Sequence, residues 1–251
     1  MKFNREHWSG KYLRDKFPCF KCPRCKEGTL LLVNDALSVT TPQYSVSESR
    51  EVYWDPEHNV ERFSAKLVCD YSKCGEIVIA IGDTSTDRDF DEESEEKRWI
   101  EVLQPKSFFP APPIIEIPDK APEKVKDEID RATQLFWIDF NSCANRVRVS
   151  VENLLDYFEI AKTGINKKDE EYNLDLNARI ELYKIINPDH AQTLTALRMI
   201  GNLGSHGGNV TREPLLDAFE IYEHALMELF GGHKERIGKI RQKLIDTKGK
   251  Y

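Results

Sequence analysis

The chain has 251 residues, of which 40% are hydrophobic and 31% charged, and its net charge at pH 7 is −7. This length exceeds the usual size of a single domain, so two domains are expected. The acidic balance argues against broad, non-specific nucleic-acid binding and leaves room for a local basic site. Apolar runs stay well short of the roughly 18 residues that a membrane span requires, and residues 1–16 lack a signal-peptide pattern. The sequence therefore favours a cytoplasmic protein without a membrane partner.

Two cysteine pairs identify the N-terminal third as a metal-binding module. Cys22 and Cys25 form the first pair, and Cys69 and Cys74 form the second, with a longer turn between them. In a cytoplasmic protein, cysteines are more often metal ligands or buried thiols than disulfides. Four thiolates complete a closed tetrahedral Zn²⁺ site, which predicts a structural metal. The alternative is four buried, reduced cysteines, and a contribution from Cys19 stays open.

The segments around these pairs read as strands. β-Branched and aromatic residues with some alternation predict strands at residues 30–33, 44–52, 62–68 and 77–81. Together with the cysteines they indicate a zinc-ribbon-like β domain over residues 1–104. Residues 83–96 are strongly acidic, which favours a solvated loop over a carboxylate metal site.

A proline-rich segment over residues 105–122 predicts a linker. Because proline lacks an amide donor and resists helices and inner strands, we expect an extended, stiff connector there. The domain boundary is placed in this segment. Its prolines are Pro105, Pro110, Pro112, Pro113, Pro118 and Pro122.

The period of the apolar residues changes to that of helices over residues 123–251. Helices are predicted from about 123 to 140, 141 to 160, 174 to 186 and 191 to 205, with another after Thr211. The fold class is therefore α+β, with a helical bundle following the β domain. The tail after residue 233 is basic, so a sixth helix there either pads the bundle or binds RNA or another acidic partner.

One helix of this bundle is predicted to carry a polar stripe. At about 100° per residue, Arg198, Asn202 and Ser205 share a face, with His206 close to it, and Gly207 ends the helix. Arginine binds phosphate through two parallel hydrogen bonds, and histidine moves protons near neutral pH. The set suits phosphodiester cleavage. The alternative is a satisfied polar network, in which the glycines between Arg198 and His206 only permit close helix contact.

Two segments resemble a known family. Residues 144–155 look like the Arg-x3-Glu-Leu helix of the family called domain of unknown function four-one-four-five, and residues 196–206 look like its Arg-x2-Gly-Asn-x3-His signature. That family is similar to the HEPN helical domains of prokaryotes and their viruses. The resemblance implies a HEPN-like bundle that forms a homodimer and belongs to a defence, toxin or restriction system.

The resemblance also implies a reaction. Active HEPN proteins are metal-independent endoribonucleases with four to six residues between an arginine and a histidine, and this chain has seven between Arg198 and His206. Arg198 would hold the scissile phosphate, Asn202 would orient it, and His206 would serve as acid or base. The sequence leaves open whether the protein is this enzyme or a non-catalytic dimerising scaffold for a larger protein partner. Transcriptional regulation through the ribbon is a weaker alternative, because no basic recognition helix accompanies it.

Overall fold

A computed structural model describes residues 3–91, 96–205 and 207–250. The chain divides into two compact units. Unit 1 comprises Met1–Pro113 together with Phe136–Ile138, and unit 2 comprises Ile114–Leu135 and Asp139–Tyr251. In the described part of the chain, no helix combines the length and apolar character needed to cross a membrane.

Unit 1 is built on an antiparallel sheet. Its described strands follow the order β1-β2-β4-β5-β6, and β3 also pairs with β4. Alternation along β4 explains how the sheet forms a core, since Phe63, Ala65 and Leu67 are buried while Arg62 and Ser64 are exposed. The strands are β1 (Phe20–Lys21), β2 (Thr29–Leu32), β3 (Ser38–Thr40), β4 (Arg62–Cys69), β5 (Ile77–Asp91) and β6 (Glu96–Phe109).

Aromatic rings fill the interior of unit 1. Phe20 packs against Trp8 and Phe108 at centroid distances of 5.2 Å each. Trp137 contacts Phe108 at 4.7 Å, so a residue that follows the proline-rich segment completes this cluster. The cluster gives a small sheet a larger apolar core than its own strands supply.

The prediction of a solvated loop over residues 83–96 is wrong for its described part. Residues 83–91 continue β5, which pairs with β6 as far as Asp91 opposite Glu96. The reason is an alternation that the acidic composition hides: Thr84 is buried and donates a 2.9 Å hydrogen bond to Glu61, while Asp87 stays exposed. Residues 92–95 lie outside the described part.

Residues 105–109, which the sequence assigned to the linker, form the end of β6. Proline is tolerated on an edge strand and at a bulge, and β6 ends the order of the sheet. The register shifts between Ile81 and Gly82, where a Cβ on Gly82 would lie 2.8 Å from the Cα of Pro105.

The strand predicted at residues 44–52 is wrong. Gln43–Glu48 form a short helix, α1, which follows Pro42. The buried residue in it is Ser45, whose Oγ accepts a 3.0 Å hydrogen bond from the amide of Val60. The buried hydrogen bond of Ser45, and not burial of the apolar Tyr44 and Val46, thus determines the local structure.

Unit 2 is a helical bundle. Asp139 caps the helix that starts at Phe140 by accepting hydrogen bonds from the amides of Asn141 and Ser142, and Asp175 caps the helix that starts at Leu176 by accepting one from the amide of Ala178. The core consists of buried side chains such as Leu154, Ile180 and Phe219. The helices are α2 (Glu123–Leu135), α3 (Phe140–Tyr157), α4 (Leu176–Ile186), α5 (Pro188–Ser205), α6 (Arg212–Phe230) and α7 (His233–Asp246).

A hairpin that the sequence did not predict interrupts the bundle. β7 (Thr163–Ile165) pairs with β8 (Glu171–Asn173) between α3 and α4. The predicted α+β fold class, with a β domain that carries the cysteines followed by a helical bundle, is confirmed at this level.

Candidate functional sites

The four predicted metal ligands lie together in unit 1. Cys22 and Cys25 occupy the turn after β1, Cys69 is the last residue of β4, and Cys74 lies in the turn that follows. Strands β2 and β4 bring these turns together, because Leu30 pairs with Cys69. The four Sγ atoms all lie within 4.8 Å of one another.

The geometry of the cysteine cluster fits a zinc ion. The Sγ atoms of Cys22 and Cys74 are 3.8 Å apart, and those of Cys25 and Cys69 are 3.7 Å apart. A tetrahedron with Zn–S bonds of about 2.3 Å has an edge of about 3.8 Å. Among the described residues, Cys19 is exposed and lies outside this cluster. Four sulfur ligands fill a tetrahedral shell, so a metal held here would join two turns and leave no position for substrate.

The surroundings of the thiols differ. The amide of Gly28, 3.3 Å from the Cys25 Sγ, lowers the pKa of Cys25 to about 7. Burial raises the pKa of Cys69 to about 12 and also raises that of Cys22. Four thiolates would repel one another, and a bound dication is what allows all of them to be deprotonated in one place.

The predicted polar stripe lies on α5 in unit 2. Arg198 and Asn202 are both half-buried, and the Ser205 Oγ donates a 3.0 Å hydrogen bond to Asn145 of α3. His206 lies outside the described residues. Two of the three proposed catalytic residues can therefore be placed, and they flank the surface of α5 that packs against α3.

The glycines of α5 let it approach α3 closely. A Cβ on Gly201 would collide with the Cβ of Arg148 and would lie 3.1 Å from the carbonyl oxygen of Ala144. A Cβ on Gly204 would lie 2.6 Å from the carbonyl oxygen of Asn141. Real Cβ atoms do not approach this closely, so these positions require glycine. The close helix contact considered from the sequence is present.

The crossing of α3 and α5 forms what we call the polar seam: Asn145, Arg148 and Glu152 of α3 with Arg198, Asn202 and Ser205 of α5. Arg148 packs against Gly201, which is one helical turn from Arg198. The Arg148 Nη2 lies 3.3 Å from Glu152, so these two side chains form an ion pair along α3. Among the described residues, Arg198 has no ion pair, and the Nε atoms of Arg148 and Arg198 are buried without a hydrogen-bond partner.

Beyond the seam, further charged side chains lead to Arg179 of α4. The sequence alone did not single out this residue. Its guanidinium bonds Asp156 of α3 at 2.7 Å. Burial alone would raise the pKa of Asp156, but hydrogen bonds from Lys162 and Arg179 outweigh it and hold that pKa below its usual value. No local motif marks Arg179, since it sits among apolar helix positions and meets Asp156 only in the folded chain.

Two family models match, one in each half of the chain. The protein has an α+β fold in two parts, in which a sheet that carries four cysteines is followed along the chain by a helical bundle. Residues 130–248 match the family described as Domain of unknown function (DUF4145), and residues 10–109 match the family described as Domain of unknown function (DUF8608). Curated proteins and solved structures give no match to the chain.

The resemblance drawn from the two helical motifs is thus confirmed at the level of the DUF4145 domain. Neither family description names an activity. The RNA-related role and the reaction are therefore proposals that depend on Arg198, Asn202 and His206.

Proposed function

We propose that the helical unit binds RNA at Arg198, Asn202 and His206. The observation that carries the proposal is the state of Arg198: its guanidinium is half-buried on α5 and, among the described residues, no carboxylate neutralises it. A structural arginine in such a position is expected to have an acidic partner, because a partly buried charge without one is costly. The missing anion is then supplied by a ligand.

A phosphodiester suits this site better than a general acidic surface. The guanidinium fork matches two phosphate oxygens, and Asn202, one helical turn further along α5, adds an amide donor and acceptor. The overall charge of −7 opposes non-specific contact with a nucleic acid. Binding should therefore depend on a few residues of the polar seam and not on a basic surface.

Cleavage is the reaction that these residues would perform on bound RNA. The ribose 2′-hydroxyl loses its proton to a base and attacks the adjacent phosphorus. The new P–O2′ bond forms as the P–O5′ bond breaks, and the departing 5′-oxygen takes a proton, which leaves a 2′,3′-cyclic phosphate and a 5′-hydroxyl. His206 would act as the base or the acid, and Arg198 would balance the charge that grows on the phosphate oxygens. The step needs no metal.

A second copy of the chain is the expected partner of α5. Met199 and Leu203, next to Arg198 and Asn202 on the helix, are 59% and 46% exposed. Large exposed apolar side chains one turn apart on the same helix mark an interaction surface. A homodimer formed through them would place two Arg198 side chains near one interface, in a setting of prokaryotic or phage defence, toxin or restriction.

The test is RNA binding and cleavage by the full chain, followed with 5′-labelled single-stranded RNA. We expect Arg198→Ala to weaken binding at least tenfold, and His206→Ala to abolish cleavage while binding persists. Lys167→Ala is the matched control, because it removes one exposed charge from the β7–β8 turn. Equal binding by wild type and Arg198→Ala would overturn the proposal, and binding without cleavage would reduce it to RNA recognition.

The second candidate is a non-catalytic scaffold that binds a larger protein partner. The same exposed residues, Met199 and Leu203, favour it. The two candidates differ in one comparison: Leu203→Glu disrupts assembly in both, whereas Arg198→Ala affects only the RNA-binding protein. Retained assembly and unchanged RNA behaviour in Arg198→Ala would favour the scaffold.

We also propose that Cys22, Cys25, Cys69 and Cys74 hold one structural Zn²⁺. The all-thiolate donor set and the sulfur separations support zinc over harder cations such as Mg²⁺ or Ca²⁺, which prefer oxygen ligands. When bound, the ion supplies a cross-link between two turns.

A further inference from the structure

A pocket of ≈ 430 Å³ lies within unit 2, where the C-terminal half of α3 faces the β7–β8 hairpin and the start of α4. Most of its lining residues are polar, and Leu174 and Leu176 add apolar surface. Three cations and three carboxylates border it: Arg148, Lys162, Arg179, Glu152, Asp156 and Asp175. Arg148 also belongs to the polar seam, so the pocket opens at one end of the proposed RNA site.

Arg179 is the most informative residue of this lining. Its side chain is only 8% exposed. Both of its hydrogen bonds use Nη2, at 2.7 Å to Asp156 and 3.1 Å to the carbonyl oxygen of Ile160. Within the described residues, Nε is buried without a partner and Nη1 donates to no protein group. The guanidinium therefore has Nη1 available for a further acceptor, since Nη1 is neither enclosed nor bonded.

The charges around the pocket limit what that acceptor is. Asp175 caps α4 by accepting a 2.7 Å hydrogen bond from the amide of Ala178, so the helix terminus offsets its charge. Asp156 is shared between Lys162 and Arg179, at 2.8 and 2.7 Å. Glu152 pairs with Arg148. Because the helix terminus offsets the charge of Asp175, three cations face two remaining carboxylates in the lining. This excess of one positive charge matches a ligand with a single negative charge.

We propose that this pocket binds a monoanionic phosphodiester group through Nη1 of Arg148 and Nη1 of Arg179, the guanidinium nitrogens that are neither enclosed nor paired among the described residues. A phosphodiester carries one negative charge and two free oxygens, which fits the charge balance and one donor group from each arginine. A phosphate monoester near neutral pH carries a second charge, and the nearby carboxylates oppose it. Asn153 and Asn173, which also line the pocket, offer amide groups for the neutral remainder of the ligand.

Two sources share this chemistry. One is the RNA strand already held at Arg198, whose neighbouring phosphodiester would reach the pocket along the seam. The other is a free cyclic mononucleotide, for which the volume is sufficient. The pocket site goes beyond the proposed function and does not require that RNA be cleaved.

The experiment is calorimetric titration of the full chain. The probes are the four nucleoside 2′,3′-cyclic monophosphates, the dinucleotide UpU, uridine, uridine 5′-monophosphate and acetate. We expect at least one cyclic monophosphate or UpU to bind, and we expect uridine, uridine 5′-monophosphate and acetate to bind at least tenfold more weakly. Competition by a longer oligouridylate indicates the strand as the source, and its absence indicates a free cyclic nucleotide.

Asn173→Asp localises the binding. Asn173 is exposed and its side chain has no hydrogen bond among the described residues, so the fold should tolerate the change, as an unchanged melting temperature would show. The added negative charge should weaken the phosphodiester probe by roughly fivefold. Gln192→Glu is the matched control: it adds the same charge at an exposed position of α5 outside the pocket lining, and binding should be unchanged.

The outcomes separate this site from the one at Arg198. Arg198→Ala should leave binding of the cyclic monophosphate intact even where it abolishes binding of RNA. The proposal is overturned if none of the phosphodiester probes binds, if uridine or acetate binds as well as they do, or if Asn173→Asp and Gln192→Glu behave alike. These results do not decide whether RNA binds at Arg198, which is tested separately by the RNA binding and cleavage assay.

Discussion

The two units are stabilised by different interactions. Unit 1 has a thin antiparallel sheet whose two cysteine turns meet through Cys22, Cys25, Cys69 and Cys74. Unit 2 buries a continuous apolar core among its helices and needs no such cross-link. Small domains with little core depend on metals, whereas a helical bundle depends on side-chain packing. The stability of unit 1 is therefore expected to depend on a bound metal, and that of unit 2 on close side-chain packing.

The unfolding of each unit can be followed by a different spectroscopic signal. All four tryptophans, Trp8, Trp54, Trp99 and Trp137, belong to unit 1. The long helices α2 to α7 belong to unit 2. Tryptophan fluorescence therefore follows unit 1, and the helical circular dichroism signal follows mainly unit 2.

The largest effect is expected from metal removal. Structural zinc sites contribute on the order of 10–16 kcal/mol to the folding of the domains that hold them. Chelation, or Cys69→Ser, should therefore expose the tryptophans of unit 1 to water, while most of the helical signal remains. Metal analysis of the purified chain should give one zinc per molecule.

Cys19→Ser is the control for this prediction, since Cys19 is exposed and outside the cluster. Fluorescence that does not respond to chelation, in a chain that carries zinc, would show that unit 1 folds without its cross-link and would end the contrast between the units.

A smaller effect is expected from the contact between α3 and α5. Gly201→Ala forces a Cβ against Arg148, so we expect unit 2 to lose about 2–3 kcal/mol of its unfolding free energy. Urea titration followed by circular dichroism measures it, and fluorescence should change little. Gly238→Ala in α7 is the control, because nothing lies within 4 Å of the added Cβ and alanine favours a helix. If both variants were equally stable, the crossing would not be as close as described.

The smallest effect concerns pH. The pKa of Asp156 is held below its usual value, so its ionised form stabilises unit 2 above the unfolded pKa of about 3.9. This contribution is lost as the pH falls below about 4 and through the lowered pKa. Asp156→Asn should cost about 1–2 kcal/mol at pH 7 and progressively less below pH 4.

Asp127→Asn is the reference for the pH dependence, because Asp127 is exposed and has no ion pair among the described residues. Its difference from wild type should be small at every pH. A constant difference between Asp156→Asn and wild type from pH 7 to pH 3 would contradict the assigned role of Asp156.

Local signals predicted much of the fold. The cysteine pairs and the change from strand to helix periodicity predict the α+β class, and the predicted helix start at 123 and helix end at 186 agree with α2 and α4. Two predictions failed where a long-range contact decides the structure. Ser45 is drawn inward by the backbone of Val60, and Thr84 is buried beside Glu61, which an acidic composition does not suggest.

The candidate site shows the same division. Arg198, Asn202 and Ser205 were found from helical spacing, and Gly201 and Gly204 were read as a contact surface from their size. Arg179 could not be singled out from the sequence. Its role is inferred from its burial, its hydrogen bond to Asp156 of another helix and its unused N–H donors, which appear only in the folded chain. The roles of Arg198, Asn202 and His206 in a reaction stay predictions for the assays above.

The three residues Phe136–Ile138 limit how the protein can be dissected. They follow α2 in the chain yet belong to unit 1, where Trp137 packs on Phe20 and Phe108. A fragment that stops at Pro113 would lose an indole ring from the middle of its aromatic interior, and the complementary fragment would carry that ring without its neighbours. Severing the chain at the proline-rich stretch should therefore damage both products, and biochemical work on either half is best done in the intact polypeptide.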